Sequence, residues 1–172
     1  MSNDLPLRFD PLLFARRGRH FTGNLPVQDL PRIMELAPNS ECDFHVSMTF
    51  SMSSLQFPMV KGTIEGKIVQ LCQRCMNNAS IPISSQFQLI LVTPDLVETA
   101  SEEGHELFEY TGQSIMTAEL VEDEIILSMP IVAKHASIED CDTTVRQKMH
   151  EFDEVPTDEK DNPFAKLKDL KL

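Results

Sequence analysis

The stretch ECDFHVSMTFSMS, residues 41–53, constrains the fold more than any other part of the chain. Cys42, Phe44, Val46, Met48, Phe50 and Met52 alternate without a break with Asp43, His45, Ser47, Thr49 and Ser51. Successive side chains of a strand point to opposite faces, so this period of two makes a strand with one dry side and one wet side. Such a strand belongs in an antiparallel sheet that rests one face on a core and shows the other to water. Cys42 falls on the apolar side and is expected in the core.

Two further β-rich runs follow. MVKGTIEGKIVQLC (59–72) carries Gly62 and Gly66, which suggest a bulge or a bend. ASIPISSQFQLILVTP (79–94) sends Phe87, Leu89 and Leu91 to one side. Strand, turn, strand, Cys-x-x-Cys, strand is a meander with the cysteines at a corner, and a sheet of this kind can curl into a barrel-like form. The helices are expected to be short. FDPLLFARRG places Asp10 as N-cap, Pro11 in the first turn and Gly18 just past the end. VQDLPRIMELAP gives a second helix, stopped by Pro38. TAELVEDEIILSMP (117–130) gives a third, capped by Thr117 and closed before Pro130. Its core candidates are Leu120, Val121, Ile125 and Leu127, while Glu119, Glu122 and Asp123 share the opposite face.

PDLVETASEEGHE (94–106) is acidic and lacks periodicity, which predicts a mobile loop. The expected class is therefore α+β, an antiparallel meander packed with a few short helices. Residues 1–150 form a single domain on this reading, and 151–172 an acidic linker with a short amphipathic helix. In that helix Asn162 is the cap, and Phe164, Leu167 and Leu170 are contacts for a partner groove or for the chain's own domain.

Charge narrows the partners. The net charge is −12. Residues 1–93 hold eight Lys and Arg against seven Asp and Glu, whereas 94–172 hold seven against twenty. Between Arg74 and Lys134 there is no cation at all. An acidic half repels a phosphate backbone and attracts basic proteins. With no Trp and one Tyr, stacking on bases would fall to the ten Phe, which a core also needs. The opening MSNDLPLRFD has no basic region leading into an apolar run, and IILSMPIVA (125–133) is too short to span a bilayer. A cytoplasmic location is expected, where lasting disulfides are the less common use of cysteine.

Four features can carry chemistry. Cys72-Gln73-Arg74-Cys75 lets two thiolates take adjacent corners of a tetrahedron, and His135 and Cys141 in KHASIEDC can supply the other two for zinc. Arg74 beside the thiols favours their ionised form. The plain alternative is two small residues at a strand end and an accidental His–Cys spacing. Dithiol redox chemistry fits less well, because such a motif normally opens a helix in a βαβ unit. Glu119, Glu122 and Asp123 can chelate magnesium for phosphodiester hydrolysis, or form a solvated helix face that receives a partner. Arg16, Arg17 and Arg19 can grip RNA phosphates, or neutralise a helix C-terminus. No phosphate-binding loop, dinucleotide fingerprint or nucleophile elbow is present.

Taken together, LCQRC (71–75), LVEDEIILSMPIVAKH (120–135) and the ending NPFAKLKDL resemble the YceD family, the large ribosomal RNA subunit accumulation proteins, across nearly the whole chain. The resemblance implies a part in accumulation or processing of 23S ribosomal RNA without an established enzymatic activity. It also implies a metal site, here Cys72, Cys75, His135 and Cys141, although many relatives carry further cysteines downstream that this chain lacks. Two functions are then expected to compete. One is a non-enzymatic ribosome biogenesis factor that binds a ribosomal protein, a processing factor or pre-rRNA. The other is a metal-dependent nuclease working through Glu119, Glu122 and Asp123.

Overall fold

A computed structural model describes residues 5–101 and 104–153. The strand predicted from the alternation is β3 (Phe44–Met52), and its dry side is Phe44, Val46, Met48 and Phe50, all essentially without exposure. Around it stand β2 (His20–Leu25), β4 (Pro58–Leu71), β5 (Asn78–Val92) and β6 (Glu106–Glu109), in the sheet order β2-β3-β4-β5-β6. The first four are antiparallel neighbours, and β6 lies parallel to β5. The α+β class is therefore right, with one parallel pair at an edge. The barrel-like form is not seen, since the sheet ends in β2 and β6 and does not close. Two short strands, β1 (Arg8–Phe9) and β7 (Ile115–Met116), pair apart from this sheet.

The glycines of β4 make no bulge. One constant register pairs 59–71 with 78–90, and another pairs 58–65 with 45–52. The glycines make room instead. A Cβ on Gly62 would sit 2.3 Å from Phe87 Cζ and 2.7 Å from the Ser47 carbonyl oxygen, and one on Gly66 would sit 2.5 Å from Phe44 Cδ1. Two rings of the core thus lie close against bare backbone. Gly62→Ala is expected to cost about 2–3 kcal/mol through overpacking, read as a lower denaturant midpoint with an unchanged slope.

Helices cover the dry face. α1 (Pro11–Arg16) begins where Asp10 accepts a hydrogen bond from the Leu13 amide at 2.9 Å, and it ends before Gly18 at φ 55°, as the sequence predicts. It packs over β3 and β4 through an aromatic cluster, with Phe9 and Phe50 ring centroids 4.9 Å apart and Phe14 and Phe21 5.1 Å apart. α2 (Pro31–Leu36) packs against α4 (Thr117–Ser128), and α4 lies on β5. Thr117 is not the cap of α4. Met116 holds that position, and the Thr117 hydroxyl donates to the Pro6 carbonyl. Leu120, Val121 and Ile125 are buried as predicted, but Leu127, in the last turn of α4, is 78% exposed.

The acidic stretch after β5 is not a loop over its first eight residues. A 3-10 turn at Pro94–Leu96 runs into α3 (Val97–Ser101), since Ala100 is needed over Ile90 and Val92 on the opposite face of the sheet. Cys42 precedes β3 and is half-buried, so it is not part of the core.

The chain divides into two compact units, Met1–His135 and Ala136–Leu172. In the second, Ser137 caps a 3-10 turn at Ile138–Asp140, accepting from the Glu139 amide at 3.1 Å while its own amide donates to Asp140 at 3.2 Å. Cys141 ends that turn and α5 (Thr143–Asp153) follows.

Candidate metal centre

The hairpin between β4 and β5 turns over residues 72–77. The Cys72 amide donates to the Asn77 carbonyl and the Met76 amide to the Cys72 carbonyl, both at 2.8 Å. Met76 takes φ 60°, the left-handed conformation, to bring the chain back into β5. This geometry aims both thiols to one side. The segment after α4 comes up beside the turn, with the Gln73 amide donating to the Ala133 carbonyl at 2.8 Å and the Arg74 guanidinium donating to the His135 carbonyl. That contact is what delivers His135. Arg74 acts on the thiols less by its charge than by its backbone: its amide donates to Cys72 Sγ at 3.4 Å.

The histidine is oriented for ligation. Its Nε2 lies 3.2 Å from the Asn78 carbonyl oxygen, which can only accept, so Nε2 carries the proton. Nδ1 then presents its lone pair, 3.5 Å from Cys75 Sγ. A tetrahedral zinc with bonds of about 2.3 Å to sulfur and 2.0–2.1 Å to nitrogen spaces those two atoms about 3.5 Å apart. One ligand atom from each of Cys72, Cys75, His135 and Cys141 lies within 4.8 Å of all the others, the two outer cysteines buried and the other two residues half-buried. Three sulfurs and one imidazole nitrogen are the donor set of a closed structural zinc site, and the carbonyl behind the histidine is the usual outer support. Burial alone would push the Cys72 thiol up, but amides of His135, Arg74 and Cys75 and the His135 side chain bring it down to about 5. The thiolate that a metal needs is thus already favoured.

The carboxylates of α4 do something different from what their spacing suggests. Glu122 is only 4% exposed. It accepts from the Arg32 amide at 2.7 Å and from Arg32 Nε at 3.0 Å, at the N-terminus of α2, where amide groups have no partner inside the helix. Asp123 takes Arg32 Nη2 at 2.5 Å, and the same nitrogen reaches the Glu119 carbonyl at 3.4 Å. Glu119 itself is exposed. The triad therefore holds an arginine ninety residues away in sequence, which the spacing along α4 could not reveal. Arg16 and Arg17 are exposed at the C-terminal end of α1 and Arg19 is half-buried. Phe164, Leu167 and Leu170 lie outside the described residues.

Glu124, singled out by nothing in the sequence, is 7% exposed and accepts from Ser85 Oγ at 3.3 Å. Burial pushes its carboxyl up, the Ser85 bond opposes this, and Glu106 and Asp123 push further. A folded-state pKa above the unfolded one gives stability that is full below the unfolded value and lost as pH rises through the folded value. Glu124→Gln is therefore expected to raise the melting temperature at pH 8, with the gain vanishing below about pH 4, the unfolded carboxyl's range.

A family model described as large ribosomal RNA subunit accumulation protein YceD matches residues 60–171, from β4 through the Cys-x-x-Cys corner and α4 to the C-terminal segment. The chain belongs to the YceD family. Its relative in Haemophilus influenzae, the large ribosomal RNA subunit accumulation protein YceD, is 29% identical over 170 residues, which cover 97% of this chain and 96% of that one. No solved structure matches. Among the described residues, no helix is long and apolar enough to cross a membrane.

Proposed function

We propose that this YceD chain is a non-enzymatic ribosome biogenesis factor of the cytoplasm that promotes accumulation or processing of 23S ribosomal RNA. The observation that carries the reading is the match over nearly its whole length to a relative named for large ribosomal RNA subunit accumulation. The charge asymmetry supports how it works: the segment from Cys75 to Ala133 has no cation of its own and attracts basic proteins such as those that coat rRNA. Arg16 and Arg17, exposed on the less acidic half, are the candidates for a direct contact with pre-rRNA.

In this reading Cys72, Cys75, His135 and Cys141 hold zinc as a structural corner. Zinc there would pin the β4–β5 turn to the chain after α4 by bonds between thiolates, imidazole and metal. Asn78 keeps the imidazole in the ligating tautomer, and the amides around Cys72 keep its sulfur ionised.

The nuclease alternative loses support at Arg32, whose guanidinium takes up Glu122 and Asp123. Pull-downs at low and high salt test the proposal. Enrichment of large-subunit ribosomal proteins, a processing factor or pre-rRNA is expected, weakening with salt. Enrichment of none of them at any ionic strength would reject it. Pure protein with magnesium is expected to leave a pre-rRNA fragment intact, and magnesium-dependent cleavage lost in Asp123→Ala would establish the alternative.

A further inference from the structure

The sheet does not end flush with its cover. α4 lies on β5, and β6, one strand further out, extends past it. The result is a groove of about 430 Å³ between the exposed end of α4 and β6. Its floor is apolar, from Phe108, which pairs beside Leu91, and from the exposed Leu127. Its charged lining is Glu106, Asp123 and Glu124, with Arg32 as the single cation, and Arg32 is already bound to Asp123 and Glu122.

We propose that this groove takes an extended segment of a basic partner protein in which cationic and apolar residues alternate, added as a further strand along the outer edge of β6. Three observations carry this. The first is charge: carboxylates outnumber cations in the lining, and Glu124 has Ser85 as its only hydrogen-bond partner among the described residues while 93% of its surface is covered. A carboxylate so placed gains most from an ammonium or guanidinium brought to it in a partly dry site. Its raised pKa agrees, since burial is the main cause and the neighbouring Glu106 and Asp123 add to it.

The second is the edge. β6 pairs with β5 alone, so among the described residues its outer backbone groups meet no further strand. Strand addition at such an edge supplies backbone hydrogen bonds, and alternate side chains of the added strand fall on one face. That face here meets Glu106, Phe108 and the end of α4, which calls for cationic and apolar residues at every second position. The third argues against the simplest competitor. A second copy of this chain adding its own β6 would set Glu106 and Glu109 against the same residues, and like charges opposed across strands destabilise the pair.

The inference rests on the reading of this chain as a binder of basic proteins, and it names the place and the shape of the ligand. The probe is a short synthetic peptide of alternating Lys and Val, titrated into the full chain by fluorescence anisotropy. Peptides alternating Glu with Val, and Lys with Ser, are the controls. The Lys–Val peptide is expected to bind, the Glu–Val peptide not at all, and the Lys–Ser peptide about tenfold more weakly. Glu106→Lys and Leu127→Ser change exposed positions and are expected to leave the circular dichroism unaltered and the melting temperature no lower. Each is expected to weaken the Lys–Val peptide by about tenfold or more, while Glu65→Gln, exposed on β4 two strands from β6, has no effect.

Equal affinity in the groove variants and the parent would overturn the inference. So would a groove in which magnesium alone binds and excludes the peptide, or self-association that Leu127→Ser abolishes. The two levels also separate. If the parent chain enriches ribosomal proteins and Glu106→Lys enriches them equally, the groove is wrong and the broader function stands. If the parent enriches none while the peptide binds in the groove, the broader function fails and the groove stands.

Discussion

Cys75→Ser is expected to yield a folded chain that copurifies with little or no zinc, against about one per molecule expected for the native chain. Cys75 is the better choice of ligand for this test. It is half-buried, whereas Cys72 has no exposure, so a change at Cys72 would mix the loss of metal with a packing defect. The β4–β5 hairpin has a continuous register that does not depend on the corner, so far-ultraviolet circular dichroism is expected to be unchanged. Stability is not. If free metal stands at about a thousand times its dissociation constant, binding contributes about 4 kcal/mol to the folded state, and the variant forfeits it. Chelator should lower the native chain's melting temperature toward that of the variant and leave the variant where it is. Equal sensitivity of both chains to chelator would show that these residues do not hold the metal. In the metal-free native chain the Cys72 thiolate absorbance should fall with an inflection near pH 5. Because that folded value lies below the usual thiol range, the associated stability is full above the unfolded pKa and drains as pH falls through about 5.

The second large effect is at Arg32→Ala, which is expected to cost about 3 kcal/mol. Glu122 is almost wholly covered, and deleting its cationic partner strands a charge that cannot be rehydrated without opening the α2–α4 contact. The Arg32 side chain is 45% exposed, so the figure sits at the low end for a broken buried pair. Adding Glu122→Gln to Arg32→Ala should recover part of the loss, because the neutral amide oxygen can still accept from the backbone at residue 32. Strict additivity of the two substitutions in a thermodynamic cycle would contradict the account of this pair.

The parts of this fold with period-two patterning were legible. β3 reads directly from its alternation, the start of α1 from Asp10 and Pro11, and the corner between β4 and β5 from the Cys-x-x-Cys between two β-rich runs. What the sequence hid were matters of distance and space. Gly62 and Gly66 look like bulges because a missing Cβ signals irregular backbone as readily as it signals a ring lying close above. Residues 94–101 look like a loop because so short a helix has too few turns to show a period. What forms it is one alanine, Ala100, packed over Ile90 and Val92. Leu127 looks like core because it stands seven residues after the buried Leu120, yet it falls in the last turn of α4 and is exposed.

The candidate metal site was legible at its ends and not at its middle. Cys72 and Cys75 announce themselves by spacing, Cys141 as the one cysteine downstream of them, and His135 as a histidine six residues before it. Their supports do not show in sequence, since backbone groups do the work: the Asn78 carbonyl, the Arg74 amide and the left-handed Met76. A non-glycine residue in that conformation directly after the motif is the nearest thing to a signal, and only coordinates reveal it. The carboxylates of α4 mislead for the opposite reason. Their spacing is a surface pattern, but Arg32 comes from another helix and converts two of the three into a structural clamp.

The most direct test of the whole account is crosslinking in living cells with identification of both protein and RNA adducts on this chain. The account predicts adducts to basic large-subunit ribosomal proteins concentrated on the cation-free segment between Arg74 and Lys134, together with pre-rRNA in the same particles. Adducts confined to proteins unrelated to the ribosome, with no large-subunit RNA recovered, would contradict it.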